Sequence, residues 1–214
     1  MQQVQIRQCS ASSCRFRFPM TEDALPGDLC PKCGAMTDLI ATRHVSYEAI
    51  PEIRSAIPDG FDVLLDNLRS LFNVGSIFRS AEGAGLHHLY LCGITPTPEN
   101  PKLAKTSLGA EAVVGWSHHN NAIDLAHQLL RDGRRLWALD VDEKAQSLFA
   151  VEPPDSSVVL VVGNEVSGID PDLHALCERT VCIPMAGMKR SLNVAVAFGI
   201  AAFGLRHQSL EIGE

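Results

Sequence analysis

The sequence predicts an α/β protein with a mainly parallel sheet, preceded by a small cysteine-rich module. Three observations carry that expectation. Four of the seven cysteines fall within the first 33 residues. Residues 1–40 are rich in Cys, Pro, Gly and polar residues and hold no long apolar period. From Phe61 onward, short apolar runs alternate with helical stretches, the pattern of strands joined by crossover helices. The expected organisation is a module over 1–40, a connector over 41–58 punctuated by Pro51 and Pro58, and an α/β domain over 59–214.

Taken in order, the strand candidates are 61–66, 88–92, a weaker 112–116, 136–141, 158–162 and 180–183. The helix candidates are 74–83, 122–132, 171–178 and 192–206. In the first of these, Val74, Ile77, Phe78 and Ala81 follow the i, i+3, i+4, i+7 spacing of one helix face. Asp170 before Pro171 marks a helix start, with a carboxylate cap and proline at the first helical position. Ser191 stands as a candidate cap before the last run. From Leu192 to Leu205 that run is small or apolar on every side, so it is expected to be buried all round, inside the domain, against a second subunit, or both.

Apolar residues make up 46% of the chain and charged residues 20%, a composition typical of soluble globular proteins. No apolar run is long enough to cross a bilayer, and MQQVQIRQCS lacks the basic and apolar pattern of a secretion signal, so the cytoplasm is the expected location. A disulfide framework is then not expected, and Cys92, Cys177 and Cys182 read as buried small hydrophobes. The net charge of −7 excludes binding nucleic acid by bulk charge. Such a partner needs a local basic patch on an acidic body.

Cys9 and Cys14 are separated by four residues, and Cys30-Pro-Lys-Cys33-Gly follows after fifteen more. Two close pairs suit a tetrahedral thiolate site for structural zinc, with Cys9, Cys14, Cys30 and Cys33 as ligands. A module this small scarcely folds without such a staple. A redox pair at Cys30 and Cys33, or four free thiols, are the alternatives, and no βα unit of the kind a redox CxxC sits in surrounds this one. Arg15, Phe16, Arg17 and Phe18 alternate cation and ring between the pairs. They read either as an RNA contact or as a hairpin with one packed and one solvated face.

Three segments carry chemistry. The first runs from Asn67 to Gly85 and places Arg79 roughly opposite the apolar helix stripe, near Gly75 and Gly83, where no side chain blocks a ligand. In the second, the strand 158–162 runs into Gly163-Asn164-Glu165-Val-Ser-Gly168, a glycine-bracketed turn at a strand's carboxyl end, where open α/β sheets bind ligands. Glu165 has no basic neighbour in sequence. The third is Ile183-Pro-Met185-Ala-Gly187 and then Ser191-Leu192-Asn193, at a helix start whose N–H groups can bind an anion.

Together these segments strongly resemble the SpoU/TrmH class of the SPOUT methyltransferases. The matches are N-x-G-x-x-x-R from Asn73 to Arg79, G-N-E-x-x-G from Gly163 to Gly168, and IPM-x-G followed by SLNV from Ile183 to Val194. The likeness covers about residues 60–206, and Lys105 to Glu111 also looks like a family segment. The cysteine module is not a general family feature. The resemblance implies S-adenosylmethionine-dependent methylation of a ribose 2′-hydroxyl in tRNA or rRNA. It implies a C-terminal part threaded into a trefoil knot, and a homodimer with its site near the interface. The implied catalytic residues are Asn73, Arg79, Glu165, Ser191 and Asn193. The implied cofactor residues are Val162, Gly163, Asn164, Gly168, Ile183, Met185, Ser191 and Leu192. A guanidinium stays protonated, so Arg79 is expected to stabilise alkoxide charge, with a phosphate oxygen, water or Glu165 taking the proton. A 2′-hydroxyl target means RNA and not DNA. The local cations for it are Arg69, Arg79, Lys102, Lys105, Lys189 and Arg190.

The main alternative is a non-catalytic RNA-binding protein on the same fold, and the full set of motif residues speaks against it. A nicotinamide enzyme needs GxGxxG after its first strand, whereas Gly83-Ala-Gly85 precedes a strand and His88 stands at the third glycine's place. There is no Walker A sequence. Neighbouring histidines at His87-His88 and His118-His119 share no helix face, which disfavours a metal-dependent hydrolase.

Overall fold

A computed structural model describes residues 2–21, 28–45, 61–152 and 157–208. The chain divides into two compact units, Met1–Ile53 and Arg54–Glu214. Most of the expected connector, 46–58, lies outside the described residues.

The small unit is a three-stranded antiparallel sheet in which β1 (Gln2–Cys9) lies between β2 (Arg17–Thr21) and β3 (Thr37–Val45). β3 runs past residue 40, so sheet occupies 41–45, where the sequence suggested connector. Arg7 is buried between these strands, where its guanidinium donates to the Thr37 hydroxyl at 2.9 Å and the Thr37 carbonyl at 3.0 Å and pairs with Asp28.

The large unit runs β4 (Asp62–Asp66), α1 (Leu71–Ala84), β5 (His88–Cys92), α2 (Pro101–Ser107), β6 (Gly115–His119), α3 (Ala122–Arg131), β7 (Arg135–Leu139), β8 (Gln146–Ser147), β9 (Val158–Val162), α4 (Pro171–Ala175), β10 (Arg179–Cys182) and α5 (Val194–Gln208). Its seven strands lie in the order β6-β5-β4-β9-β7-β10-β8, and every ladder is parallel. The alternation of side chains splits the core into two layers. Val63, Leu65, Leu160 and Val162 face a layer with α1 and α5, while Leu64, Val159 and Val161 face one with α3 and α4. The expected stripe of α1 is wholly buried in the first layer. Cys92 is buried as expected, Cys177 and Cys182 only partly.

Two expectations are corrected. Residues 110–112 form a 3₁₀ turn, after Leu108 at φ 52° and Gly109 at φ 93°, and the strand begins only at Gly115. The last helix starts at Val194, and its cap is Asn193, not Ser191, because the Asn193 Oδ1 accepts from the N–H groups of Ala195 at 2.9 Å and Val196 at 3.4 Å. Within one chain, Phe198, Ala201, Ala202 and Leu205 of α5 are sealed in the core, while Val196 is 51% and Phe203 40% exposed.

Candidate active site

The turns at the carboxyl ends of the strands are tied to one another by polar contacts. After β4, the buried Asp66 accepts from the Asn67 amide at 2.8 Å and from the Asp170 N–H at 2.9 Å, which fixes the start of α4. Ser70 then caps α1, accepting from the Asn73 N–H at 3.3 Å. After β9, Asn164 and Gly168 exchange backbone hydrogen bonds at 2.9 and 3.0 Å. The Asn164 side chain accepts from Val166 and Ser167 N–H and donates to the Asn67 carbonyl at 2.6 Å. Gly163 is held so close that a Cβ there would lie 2.3 Å from both Gly168 C and Ile169 N.

This turn delivers Glu165 to the N-terminus of α1. Its carboxylate accepts from the N–H groups of Arg69 at 3.0 Å and Ser70 at 3.1 Å and from the Asn73 amide at 2.9 Å. The Asn73 oxygen in turn accepts from the Asn193 amide at 3.1 Å. One residue from each motif thus joins a single network. Burial pushes the Glu165 carboxyl up, but hydrogen bonds from Arg69 N–H, the Asn73 amide, its own N–H and Ser70 N–H outweigh it and hold the carboxyl below its ordinary value. These hydrogen bonds favour the ionised form of Glu165 and hold it at the start of α1.

A cavity of about 380 Å³ opens beside this network, at the ends of the adjacent strands β9, β7 and β10. It has the size of a small-molecule site. Val162, Gly163, Asn164, Gly168, Ile183, Met185, Ser191 and Leu192 all line it, as do Glu165 and Asn193. Asn73 does not line it but is hydrogen-bonded to Glu165 and Asn193, which do. Sequence reasoning missed Asp140 and Val141, which wall the cavity beyond β7, and it read Arg190, which also lines the cavity, only as a cation for RNA. The end of β7 was the only available signal, and it is silent until β7 is known to lie between β9 and β10.

Arg79 is placed elsewhere. It is exposed on α1 and lines a second cavity, of about 720 Å³, with Ser76, Ser80, Ser107, Gly109 and Phe203. It is not among the residues lining the first cavity. The neighbouring glycines do not make room for a ligand either. Gly75 is buried, and a Cβ there would meet Thr106 Oγ1, so the position serves close packing of α1 on α2. At Gly83 the nearest atom is Phe203 Cζ.

In the small unit, the sulfurs of Cys9, Cys14, Cys30 and Cys33 lie within 4.8 Å of one another, with Cys9–Cys33 at 3.5 Å and Cys14–Cys30 at 3.9 Å. A tetrahedron with metal–sulfur bonds of about 2.3 Å has edges of about 3.8 Å, so the four fit one ion. Burial pushes the Cys30 thiol up, yet the N–H groups of Lys32 and Cys33 and the neighbouring sulfurs bring it to about 7 overall. Cys9, in the same cluster, is raised to about 12 by burial, so Cys30 gives up its proton more easily than Cys9 does.

Comparison with known proteins gives a consistent result. A family model described as the SpoU rRNA Methylase family matches residues 60–203. The tRNA (guanosine(18)-2′-O)-methyltransferase of Escherichia coli K12 is 25% identical over 167 residues, 78% of this chain and 72% of that protein. The 23S rRNA (guanosine-2′-O-)-methyltransferase RlmB of the same strain is 27% identical over 161 residues, 75% of this chain and 65% of that protein. The SpoU methyltransferase AviRb from Streptomyces viridochromogenes, solved in complex with AdoMet, matches with a TM-score of 0.64 at 28% identity, over 75% of this chain and 63% of that one. The aligned part of the chain spans from 61% to 73% of the length of the first curated relatives it matches.

Proposed function

Because the chain belongs to the SpoU rRNA methylase family, we propose that it transfers a methyl group from S-adenosylmethionine to a ribose 2′-hydroxyl of tRNA or rRNA. The observation that carries this reading is the cavity at the ends of β9, β7 and β10, on whose walls the residues of the second and third motifs converge. S-adenosylmethionine, when bound, supplies a methyl group already activated on a sulfonium. Val162, Gly163, Asn164, Gly168, Ile183, Met185, Ser191 and Leu192 would hold it. Asn73, Glu165 and Asn193 fix the relation between that turn and the starts of α1 and α5. Arg79 supplies a permanent cation that stabilises negative charge on the ribose oxygen as its proton leaves. A phosphate oxygen of the RNA, water or Glu165 takes the proton.

The separation of Arg79 from the first cavity favours a site completed by a second copy of the chain. Phe203 of α5 lines Arg79's cavity and, like Val196 seven residues before it, is partly exposed within one chain, and an exposed apolar helix face of this kind is covered in a stable dimer. The trefoil threading of the C-terminal part belongs to the same proposal, as does zinc at Cys9, Cys14, Cys30 and Cys33. The six cations Arg69, Arg79, Lys102, Lys105, Lys189 and Arg190 are all exposed, which gives RNA local footholds on an acidic body.

The test is transfer of methyl-labelled S-adenosylmethionine to RNA from cells lacking the protein. Label in alkali-resistant dinucleotides is expected, because 2′-O-methylation blocks strand cleavage. Label on bases would overturn the ribose assignment. RNA binding without any label would favour the non-catalytic alternative.

A further inference from the structure

The residues between the two cysteine pairs lie outside the family-matched region, yet they carry surface chemistry of their own. Phe16 directly precedes β2 and Phe18 lies in it, and their rings stack with centroids 5.7 Å apart and planes inclined by 23°. Phe16 remains 39% exposed. β2 is an edge strand of the small sheet, so nothing in that sheet covers its outer side. The turn through Cys14 sets the pair in place: Arg15 donates its N–H to the Ala11 carbonyl at 3.0 Å and takes φ 46°, after which the Phe16 carbonyl accepts from Cys9 N–H at 2.8 Å. Arg15 and Arg17 bracket Phe16, are exposed, and have no carboxylate partner among the described residues. Arg7, by contrast, is neutralised by Asp28.

We propose that this edge is a binding face for unpaired RNA, with bases stacking on Phe16 and Phe18 and with Arg15 and Arg17 on the flanking phosphates. This rests on RNA being the substrate and adds a second, independent contact to it. A chain of net charge −7 repels a polyanion except where cations are gathered without acids beside them. Exposed rings alone would suit an apolar partner, but rings flanked by guanidinium groups that have no carboxylate partner among the described residues suit both the bases and the phosphates of a single strand. Paired bases hide their faces within the helix stack, so the face selects loops and single strands.

The test is fluorescence anisotropy of a labelled twelve-nucleotide single-stranded RNA, and of a duplex of the same sequence, with the full chain. Phe16→Ala with Phe18→Ala is expected to weaken single-strand binding about ten-fold or more, whereas Phe16→Tyr with Phe18→Tyr stays within about two-fold. Arg15→Gln and Arg17→Gln, both surface changes, are each expected to lower the salt slope by about 0.7. Unchanged affinity and slope in these variants, or equal losses on duplex and single strand, would overturn the proposal. S-adenosylmethionine binding, read by calorimetry, is expected to be the same in every variant. Its absence in the parent chain would strike the proposed function, so the two failures are distinguishable.

Discussion

Asn73 and Glu165 meet side chain to side chain: the Asn73 amide donates to Glu165 Oε1 at 2.9 Å, although 92 residues separate them. The Asn73 oxygen is occupied by the Asn193 amide, so both ends of this one side chain are spent in holding motifs together. Asn73→Asp removes the donor and sets a second carboxylate against the first. It is expected to lower the Tm by roughly 2–4 °C, about 1 kcal/mol, and to reduce methyl transfer more than Asn73→Ala does. Thermal denaturation and single-turnover transfer measure the two effects. If Asp and Ala variants behave alike, the contact with Glu165 is not what Asn73 contributes.

The same network sets a pH dependence. The folded Glu165 carboxyl lies below its ordinary value, so the stability it contributes is present above that value, 4.5, and is lost as the pH falls through the folded pKa. The advantage of the parent chain over Glu165→Gln is therefore full at neutral pH and shrinks in acid. Denaturant unfolding of both proteins across that range reads it directly. Because Glu165 stays ionised throughout the neutral range, the shape of the rate profile there is expected to be the same in the variant.

Much of this site was legible in the sequence because its parts are local. The helical spacing of Val74, Ile77, Phe78 and Ala81 identifies the buried face of α1, and five successive apolar residues identify β9 as a strand covered on both sides. What could not be read depends on partners distant in the chain. Glu165 has no basic neighbour because its donors are backbone N–H groups at Arg69 and Ser70, which no residue type announces. Gly75 looked like room for a ligand because α2, which fills that room with Thr106, is only seven residues long and carries no clear period. The role of Asp140 waits on strand order. The strands of the small unit are polar on many positions and show no alternation strong enough to mark them.

Gly163 offers a sharp contrast with a glycine of the third motif. An added Cβ at Gly163 would sit 2.3 Å from backbone atoms of Gly168 and Ile169, which cannot yield without opening the turn. At Gly187, nothing lies within 4 Å. Gly163→Ala is expected to cost about 1–3 kcal/mol and to abolish S-adenosylmethionine binding, whereas Gly187→Ala leaves stability unchanged within about 0.5 kcal/mol. Equal Tm values for the two variants would refute the packing role assigned to Gly163.

Arg79 is exposed and holds no described ion pair, so Arg79→Ala is expected to change stability by less than about 0.5 kcal/mol. Calorimetry is expected to find S-adenosylmethionine binding intact, while the transfer rate falls by about 10²–10³. Mixing this variant with Asn193→Ala separates two arrangements. If Arg79 serves the cavity of a second copy, each mixed dimer holds one site free of both changes, and about one quarter of the parent activity returns. No recovery on mixing would place Arg79 and Asn193 in the same subunit's site and leave its distance from the first cavity to be closed by motion within one chain.

The cysteine cluster tests whether the small unit depends on a metal. Three strands around a buried Arg7 provide little apolar surface: in the described part of this unit, Cys9 and Cys30 are the only buried residues of the hydrophobic class, and both are candidate ligands. With so small a core, the binding free energy of the ion is in effect the folding free energy of the unit. Purified chain is therefore expected to carry one zinc by elemental analysis. Chelation is expected to expose residues 1–53 to protease while the rest of the chain keeps its S-adenosylmethionine binding. Cys9→Ser, which removes a buried ligand, is expected to reproduce the effect of the chelator, and cobalt substituted for zinc is expected to give the visible absorption of tetrahedral thiolate ligation. A metal-stripped chain whose first 53 residues remain protease-resistant would mean that the sheet folds unaided, and the four sulfurs would then need another explanation.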